Sequence, residues 1–175
     1  PVVEPVKRRE IISEAFLDFV VNKTDIRPDY MNNPQELKKV TDLVAEIKDD
    51  PDVTVRAINV IGYASPEGLL SNNQRLSEGR AKALTGYLAS RFDYPRSLYQ
   101  VAFGGENWDG LKECVEASQM PYRKEVLEFI GSFPAECGYA DQVRRKKTLM
   151  NLKGGEPYRY IIREFCPLLR KAICK

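Results

Sequence analysis

The arrangement of apolar residues over the first 106 positions predicts three strands separated by helices. Residues 11–21 are apolar on both faces, which is typical of a strand buried inside a sheet. Residues 53–61 are rich in β-branched side chains and form the second predicted strand. The third strand is predicted over residues 99–103, where large apolar side chains alternate with smaller or polar ones.

A helix is predicted over residues 33–48, between the first two strands. Asn33 is expected to be its N-cap, with Pro34 in the first turn and Glu36 as the capping-box partner. Apolar residues recur at helical spacing and predict one buried stripe. The residues of this stripe are Leu37, Val40, Val44 and Ile47.

A second helix, predicted over residues 71–92, carries an arginine on its apolar stripe. Ser71 and Gln74 have the spacing of a capping box at its start. Arg80 lies at four-residue steps from the apolar positions Leu76, Leu84 and Leu88. Such an arginine either extends its charged head into solvent or requires an anionic partner or ligand, because an unpaired buried charge is costly. Its position after a strand and a Gly/Pro-containing loop favours a ligand.

Two successive β-α-β units predict an α/β fold of the α+β sandwich type, with a β-α-β-α-β core. We expect a mixed sheet of about four strands with the helices on one face. A helical insertion is expected over about residues 107–166, where four helical stripes follow one another. The chain returns to the sheet in a final strand over 169–174. Residues 1–175 are therefore predicted to form a single domain, with a core of about 11–106 and 167–175.

Composition narrows the class of function. The net charge of +2 is too small to indicate nucleic-acid binding, and the absence of histidine removes the commonest general base and metal ligand. We expect no metal and no cofactor. No apolar run approaches the roughly 20 residues of a membrane-spanning helix, so no transmembrane segment is expected. The chain opens at Pro1 without Met, which predicts a processed or excised fragment.

The insertion contains a basic run and all four cysteines lie in or after it. The run is Arg144, Arg145, Lys146 and Lys147, which is interpreted as a solvated face or as a contact with anionic glycan, lipid or a partner. The cysteines are Cys114, Cys137, Cys166 and Cys174. Their spacing matches no zinc pattern, and they are either buried free thiols or disulfide-bonded.

Strand geometry restricts the disulfides that could form. A strand rises about 3.3 Å per residue, so Cys166 and Cys174 are expected to lie too far apart for a bond that needs Cα atoms within about 7 Å. Any disulfide is expected to join Cys114 or Cys137 to a later cysteine.

One segment resembles the signature of the OmpA-like peptidoglycan-binding domain family, G-[HY]-T-D-x-x-G-x4-N-x2-L-S-x2-R-A. The matching residues are Gly62-Tyr63-Ala64-Ser65-x-x-Gly68-x4-Asn73-x2-Leu76-Ser77-x2-Arg80-Ala81. Three further segments are similar to the first strand, the turn after the third strand and the start of the last strand of this family. They are Phe19-x2-Asn22-Lys23-x2-Ile26, Gly104-Gly105-Glu106 and Leu169-Arg170-Lys171.

The resemblance implies a site for meso-diaminopimelate of the peptidoglycan stem peptide. In the family an Asp and an Arg clamp the zwitterionic end of this ligand. It implies these ligand-binding residues: Arg80 for the carboxylate, Ser65 and Glu67 for the ammonium, Asn73 to orient the peptide, and Asn22 and Arg170 lining the pocket. Ser65 stands where the family has the Asp, which predicts roughly tenfold weaker binding unless Glu67 compensates.

Two functions of different classes follow from this resemblance. The first is a non-catalytic peptidoglycan-binding module that anchors an outer-membrane or envelope protein to the cell wall from the periplasmic side. The alternative is an OmpA-like interaction module that has lost peptidoglycan and binds an envelope protein partner through the insertion and its basic run. An enzyme is not expected, because glycan cleavage needs two carboxylates about 5–10 Å apart and a cysteine nucleophile here lacks a histidine partner.

Overall fold

A computed structural model describes residues 12–134 and 138–175 and contains a four-stranded mixed sheet. The strands are β1 (Ala15–Asp18), β2 (Ile58–Ala64), β3 (Tyr99–Glu106) and β4 (Lys171–Cys174). Their order in the sheet is β1-β4-β2-β3. β2 is parallel to β3, whereas β4 is antiparallel to both of its neighbours. The predicted α+β class is confirmed, and so is the return of the last strand into the sheet.

Two helices pack against this sheet, α1 (Asn33–Lys48) and α2 (Leu70–Arg91). α2 lies against β2 and β3, and a backbone close approach makes this possible. A Cβ atom added at Gly62 would lie 2.2 Å from the carbonyl oxygen of Ser77, so only glycine fits there. The buried apolar residues of this first core are Ala15, Leu17, Phe19, Val60, Leu84, Leu88, Ala172 and Cys174.

The predicted insertion is helical and has a core of its own. Its helices are α3 (Trp108–Ala117), α4 (Arg123–Gly131), α5 (Tyr139–Asn151), α6 (Glu156–Glu164) and α7 (Cys166–Leu169), with a 3₁₀ turn at Leu152–Gly155. The buried residues of this second core are Leu111, Val115, Met120, Val126, Ile130, Leu149, Ile161, Phe165, Cys166 and Leu169. Amphipathic helices joined by short connections thus bury their apolar stripes against one another.

Three strand starts were predicted too early. β4 begins at Lys171 and not at Leu169, because Leu169 still belongs to α7. β1 begins at Ala15 and not at residue 11, which itself lies outside the described residues. β2 begins at Ile58 although residues 53–57 are rich in β-branched side chains. The reason is the length of the neighbouring strands: Ile58 already pairs with the first residue of β3, and β4 is only 4 residues long. A segment with strand-forming side chains becomes part of a sheet only where a neighbouring strand can hydrogen-bond with it.

Both predicted helix caps are wrong. α1 has Asn32 as its N-cap without a side-chain cap bond, and α2 begins after Leu69 by main-chain bonding alone. The Asn33 amide is fully buried and instead bonds the main chain of Asp18 at 2.8 and 3.0 Å and the carbonyl of Arg27 at 2.8 Å. Asn33 therefore fixes α1 to the end of β1.

The predicted stripe of α1 is only half-buried, and Asn33 is the one residue of this helix that is fully buried. α1 is accordingly a peripheral helix whose apolar side chains cover the edge of the first core. Cys114, Cys166 and Cys174 carry free thiols. Cys137, and any disulfide through it, lies outside the described residues.

Candidate functional site

The six predicted site residues line one cavity of about 310 Å³. It lies where the loop after β2 enters α2, between the residues that follow β1 and the face of α6. Asn22 comes from the β1 side, Arg170 from the residue before β4, and the other four from the β2–α2 segment. Six further residues complete the wall: Val21, Gly68, Asn72, Leu76, Tyr158 and Ile162.

Arg80 forms part of this wall, yet its exposed fraction is 0%. Its guanidinium donates to the carbonyl oxygens of Tyr63 and Lys23 at 3.0 Å each and of Val20 at 3.4 Å. The guanidinium carbon also lies 5.4 Å from the centre of the Phe19 ring, a cation–π distance. The interpretation of Arg80 as an arginine with a solvated head group is therefore wrong.

The charge of Arg80 has no carboxylate partner among the described residues, because the ion pairs around the cavity join other cations. The pKa of the guanidinium is lowered to about 10, first by burial and then by the charges of Arg170 and Arg75, while Glu67 acts in the opposite direction. Arg80 still carries its proton at neutral pH. A buried cation neutralised only by carbonyl dipoles favours the approach of an anion.

Glu67 supplies the carboxylate that the resemblance places at Ser65. Ser65 is almost fully buried, and its hydroxyl donates to Glu67 Oε1 at 3.1 Å. Arg170 Nη2 donates to the same oxygen and forms an ion pair with it. Oε2 of Glu67 accepts no hydrogen bond from any of the residues that the structure describes. One carboxylate oxygen is thus fixed and the other remains available to a cationic group.

Asn73 connects this loop to a buried ion pair. Its amide donates to the carbonyl of Glu67 at 2.7 Å and to Oε2 of Glu106 at 2.6 Å. The same oxygen of Glu106 accepts from Lys146 Nζ at 2.6 Å, and Lys146 also donates to the carbonyl of Gly68. The side chains of Lys146 and Glu106 are only 8% and 2% exposed. The loop that carries Glu67 is therefore held from β3, α2 and α5 together.

Lys146 is a site residue that the sequence reasoning missed, since the basic run was interpreted as one surface. Arg144 and Lys147 are exposed, but Arg145 and Lys146 are buried, and Arg145 lies 4.0 Å from the Trp108 ring. The available signal was helical spacing: residues 145 and 146 stand four and three positions before the buried Leu149.

Asn22 lies at the exposed rim of the cavity. It adopts a left-handed backbone conformation with φ of 58°, which asparagine tolerates better than most residues. Its Oδ1 accepts from Asn72 Nδ2 at 3.1 Å and from Arg75 at 3.4 Å. The rim therefore consists of exposed and half-buried polar side chains joined by hydrogen bonds.

A buried cysteine, Cys166, lies close to Glu67. Burial and the neighbouring Glu67 raise the pKa of the nearby Cys166 thiol to about 12, so the thiol stays protonated and unreactive. Among residues 12–134 and 138–175, no cluster of three or more His, Cys, Asp or Glu side chains is arranged to hold a metal ion. The arrangement is suited to binding a small zwitterion by charge.

Comparison with known proteins adds one similarity. No protein-family model matches the chain. Over 108 residues it is 32% identical to Outer membrane protein 41 of Porphyromonas gingivalis, an alignment that covers 61% of this chain and 25% of that protein. The chain thus spans about a quarter of the relative that it matches. None of the described helices has the length and apolarity needed to cross a bilayer. The similarity to an outer-membrane protein supports an envelope-associated role for this chain.

Proposed function

We propose that this chain is an OmpA-like, non-catalytic module that binds the peptidoglycan stem peptide and anchors an envelope protein to the cell wall from the periplasmic side. The observation that carries the proposal is the charge balance of the cavity. Arg170 with Glu67 and Lys146 with Glu106 form two ion pairs, which leaves the cation of Arg80 uncompensated among the described residues.

The cavity offers complementary groups to both ends of a zwitterion. Arg80 attracts the carboxylate of diaminopimelate, and Oε2 of Glu67 accepts its ammonium. Ser65 and Arg170 orient Glu67, while Asn73 fixes the loop. Binding is proposed without catalysis, because the carboxylates of Glu67 and Glu106 are both held in ion pairs.

A local rearrangement accompanies binding in this proposal. Arg80 is fully buried, whereas Asn22 at the rim is exposed and Asn72 is half-buried. These two asparagines are joined by a hydrogen bond of 3.1 Å, and Arg75 donates to both of them. Breaking each such solvent-accessible hydrogen bond costs on the order of 1 kcal/mol, which the charge-assisted contact with a carboxylate offsets.

Co-sedimentation with purified sacculi, with and without competing meso-diaminopimelate, tests this function. We expect the parent chain to sediment and free diaminopimelate to release it. Glu67→Gln should weaken binding about tenfold because the ammonium loses its charged partner. Glu46→Gln, an exposed carboxylate on α1, is the matched control and should bind as the parent does. A parent chain that stays in the supernatant would overturn the proposal.

Ser65→Asp is a variant expected to strengthen binding in the same assay. A second carboxylate beside Glu67 restores the residue type of the family and should strengthen binding, unless Glu67 already satisfies the ammonium. Affinity equal to that of the parent, together with a damaging Glu67→Gln, would assign the role to Glu67 alone.

The alternative function, an interaction module for an envelope protein, is favoured by one observation. All three hydrogen bonds of Arg80 go to main-chain carbonyls, so the residue could serve only to hold the loop after β1. In that case the parent chain should not co-sediment with sacculi and should still bind a purified envelope partner through the insertion.

A further inference from the structure

Helix α6 of the insertion carries two adjacent apolar stripes. Pro157 and Ile161 are buried, and Ile161 belongs to the core of the insertion. Tyr158 and Ile162, each one residue further along, are half-buried and line the cavity. Residues at i and i+4 lie on one side of a helix, so Tyr158 and Ile162 form a continuous ridge. The first stripe is buried in the core of the insertion. The second stripe packs against the edge of that core and also lines the cavity.

The cavity is larger than the charged groups of a ligand require. Its volume of about 310 Å³ lies at the lower end of the range of pockets that enclose a whole small molecule. A carboxylate that contacts Arg80 fills only a small part of that space. The remaining wall includes Tyr158 and Ile162 together with Leu76 of α2, all of them apolar surfaces.

The hydroxyl of Tyr158 lies close to the charged loop. Burial raises the pKa of this hydroxyl, with smaller contributions from Cys166 and Glu67 in the same direction and from the main chain of Gly68 in the opposite one. Tyr158 and Ile162 thus line the same cavity as Glu67, the carboxylate that is proposed to receive the ammonium. Such a site recognises a charged group with a small apolar neighbour better than the charged group alone.

We infer that Tyr158 and Ile162 form an apolar subsite for the methyl side chain of the alanine that follows diaminopimelate in a stem peptide. This inference rests on the proposed function, because it places the subsite beside the diaminopimelate pocket. The core of the fold recognises the charges, and the insertion recognises the residue next to them. Tyr158 and Ile162 are specificity residues in this account.

The test compares three ligands by calorimetry: free meso-diaminopimelate, diaminopimelyl-D-alanine and diaminopimelyl-glycine. The parent chain should bind the alanine peptide about fourfold more tightly than the glycine peptide, the effect expected for one buried methyl group. Tyr158→Ala and Ile162→Ala should each reduce this ratio to about one while leaving the affinity for free diaminopimelate within about twofold. Thermal unfolding verifies that the variants are folded.

Two control variants separate the subsite from a general effect on packing. Tyr158→Phe keeps the ring and should retain the preference for alanine. Tyr139→Ala removes a tyrosine that is 58% exposed and is not part of the cavity wall, and it should also retain the preference. A purely structural Tyr158 would lower the affinity for all three ligands in parallel.

The failures of the two proposals are distinguishable. A parent chain that binds free diaminopimelate without preferring alanine overturns the subsite and leaves the proposed function intact. An unchanged preference in both Tyr158→Ala and Ile162→Ala likewise overturns the subsite. A parent chain that binds none of the three ligands overturns both.

Discussion

The sheet with its two helices and the helical insertion bury different kinds of residue. The first region encloses polar side chains whose hydrogen bonds go mostly to the main chain, namely Asn33, Asn73, Ser77 and Arg80. The second region encloses an apolar cluster, and among its described residues the buried charged side chains are Arg145 and Lys146. Buried polar groups are retained where they are satisfied, so in the first region buried hydrogen bonds fix the loops around the cavity.

The insertion nevertheless shapes the site. Lys146 reaches from α5 to Glu106 and to the loop at Gly68, and α6 supplies one wall of the cavity. A region with its own apolar core thus acts as the support for polar groups that belong to the other region. The charged groups Arg80 and Glu67 thus come from α2 and the loop after β2, whereas the insertion holds that loop in place through Lys146.

The largest loss of unfolding free energy is expected when the ion pair between Lys146 of the insertion and Glu106 of β3 is broken. Lys146→Met leaves Glu106 buried without its partner, which typically costs about 3–5 kcal/mol of unfolding free energy. Urea unfolding followed by the fluorescence of Trp108, the one tryptophan of the chain, measures this loss.

The matched control is Lys82→Met on α2, where the lysine forms an ion pair with Glu78 at 2.6 Å but its side chain is 64% exposed. That change should cost less than about 1 kcal/mol. Equal losses for the two variants would show that the insertion is not coupled to the site through Lys146.

A smaller loss is expected where α1 joins the sheet. Asn33→Ala removes the amide that bonds Asp18 and Arg27 and leaves main-chain groups of β1 unsatisfied, at a cost of about 1–3 kcal/mol. Asn32→Ala, at the exposed N-cap without a side-chain cap bond, should change the unfolding free energy by a few tenths of a kcal/mol. Urea unfolding of both variants measures the two losses. A larger loss for Asn32→Ala than for Asn33→Ala would show that the N-cap residue, and not the buried amide of Asn33, stabilises the start of α1.

The smallest expected effect is a difference in alkylation rate between two cysteines, Cys166 at the start of α7 and Cys114 in α3. Cys166 has a pKa of about 12 and is 1% exposed, so alkylation of the native protein at pH 8 should spare it. Cys114 is half-buried, and it should react faster although burial raises its pKa as well. Peptide mass spectrometry after iodoacetamide treatment resolves the two. Equal rates would mean that the contact between α7 and the Ser65 loop opens readily.

Much of the fold could be predicted from hydrophobic spacing, because helices depend largely on local pattern. The bounds of α1 were predicted correctly, and the helices of the insertion were found from their stripes. Strand starts and caps were missed for a physical reason. A strand ends where its partner ends, as at Ile58, and the amide of Asn33 found a better tertiary partner than its own helix.

The site was predictable as far as one continuous motif extends. The spacing from Ser65 to Arg80 brought four of the predicted residues to one cavity, and the resemblance added Asn22 and Arg170. Lys146 and Tyr158 could not be found in this way. They belong to the insertion, and their approach to the loop depends on how its helices pack and not on any local spacing.

Arg80 is proposed to receive the carboxylate of the ligand. A direct measurement is a titration of ¹⁵N-labelled protein with meso-diaminopimelate, following the Nε–H resonances of its arginines. We expect a saturable shift for Arg80 and none for the exposed Arg91, which lies about 16 Å further along α2. An Arg80 resonance that stays unchanged while diaminopimelate binds, or an absence of binding at millimolar ligand, would contradict the claim.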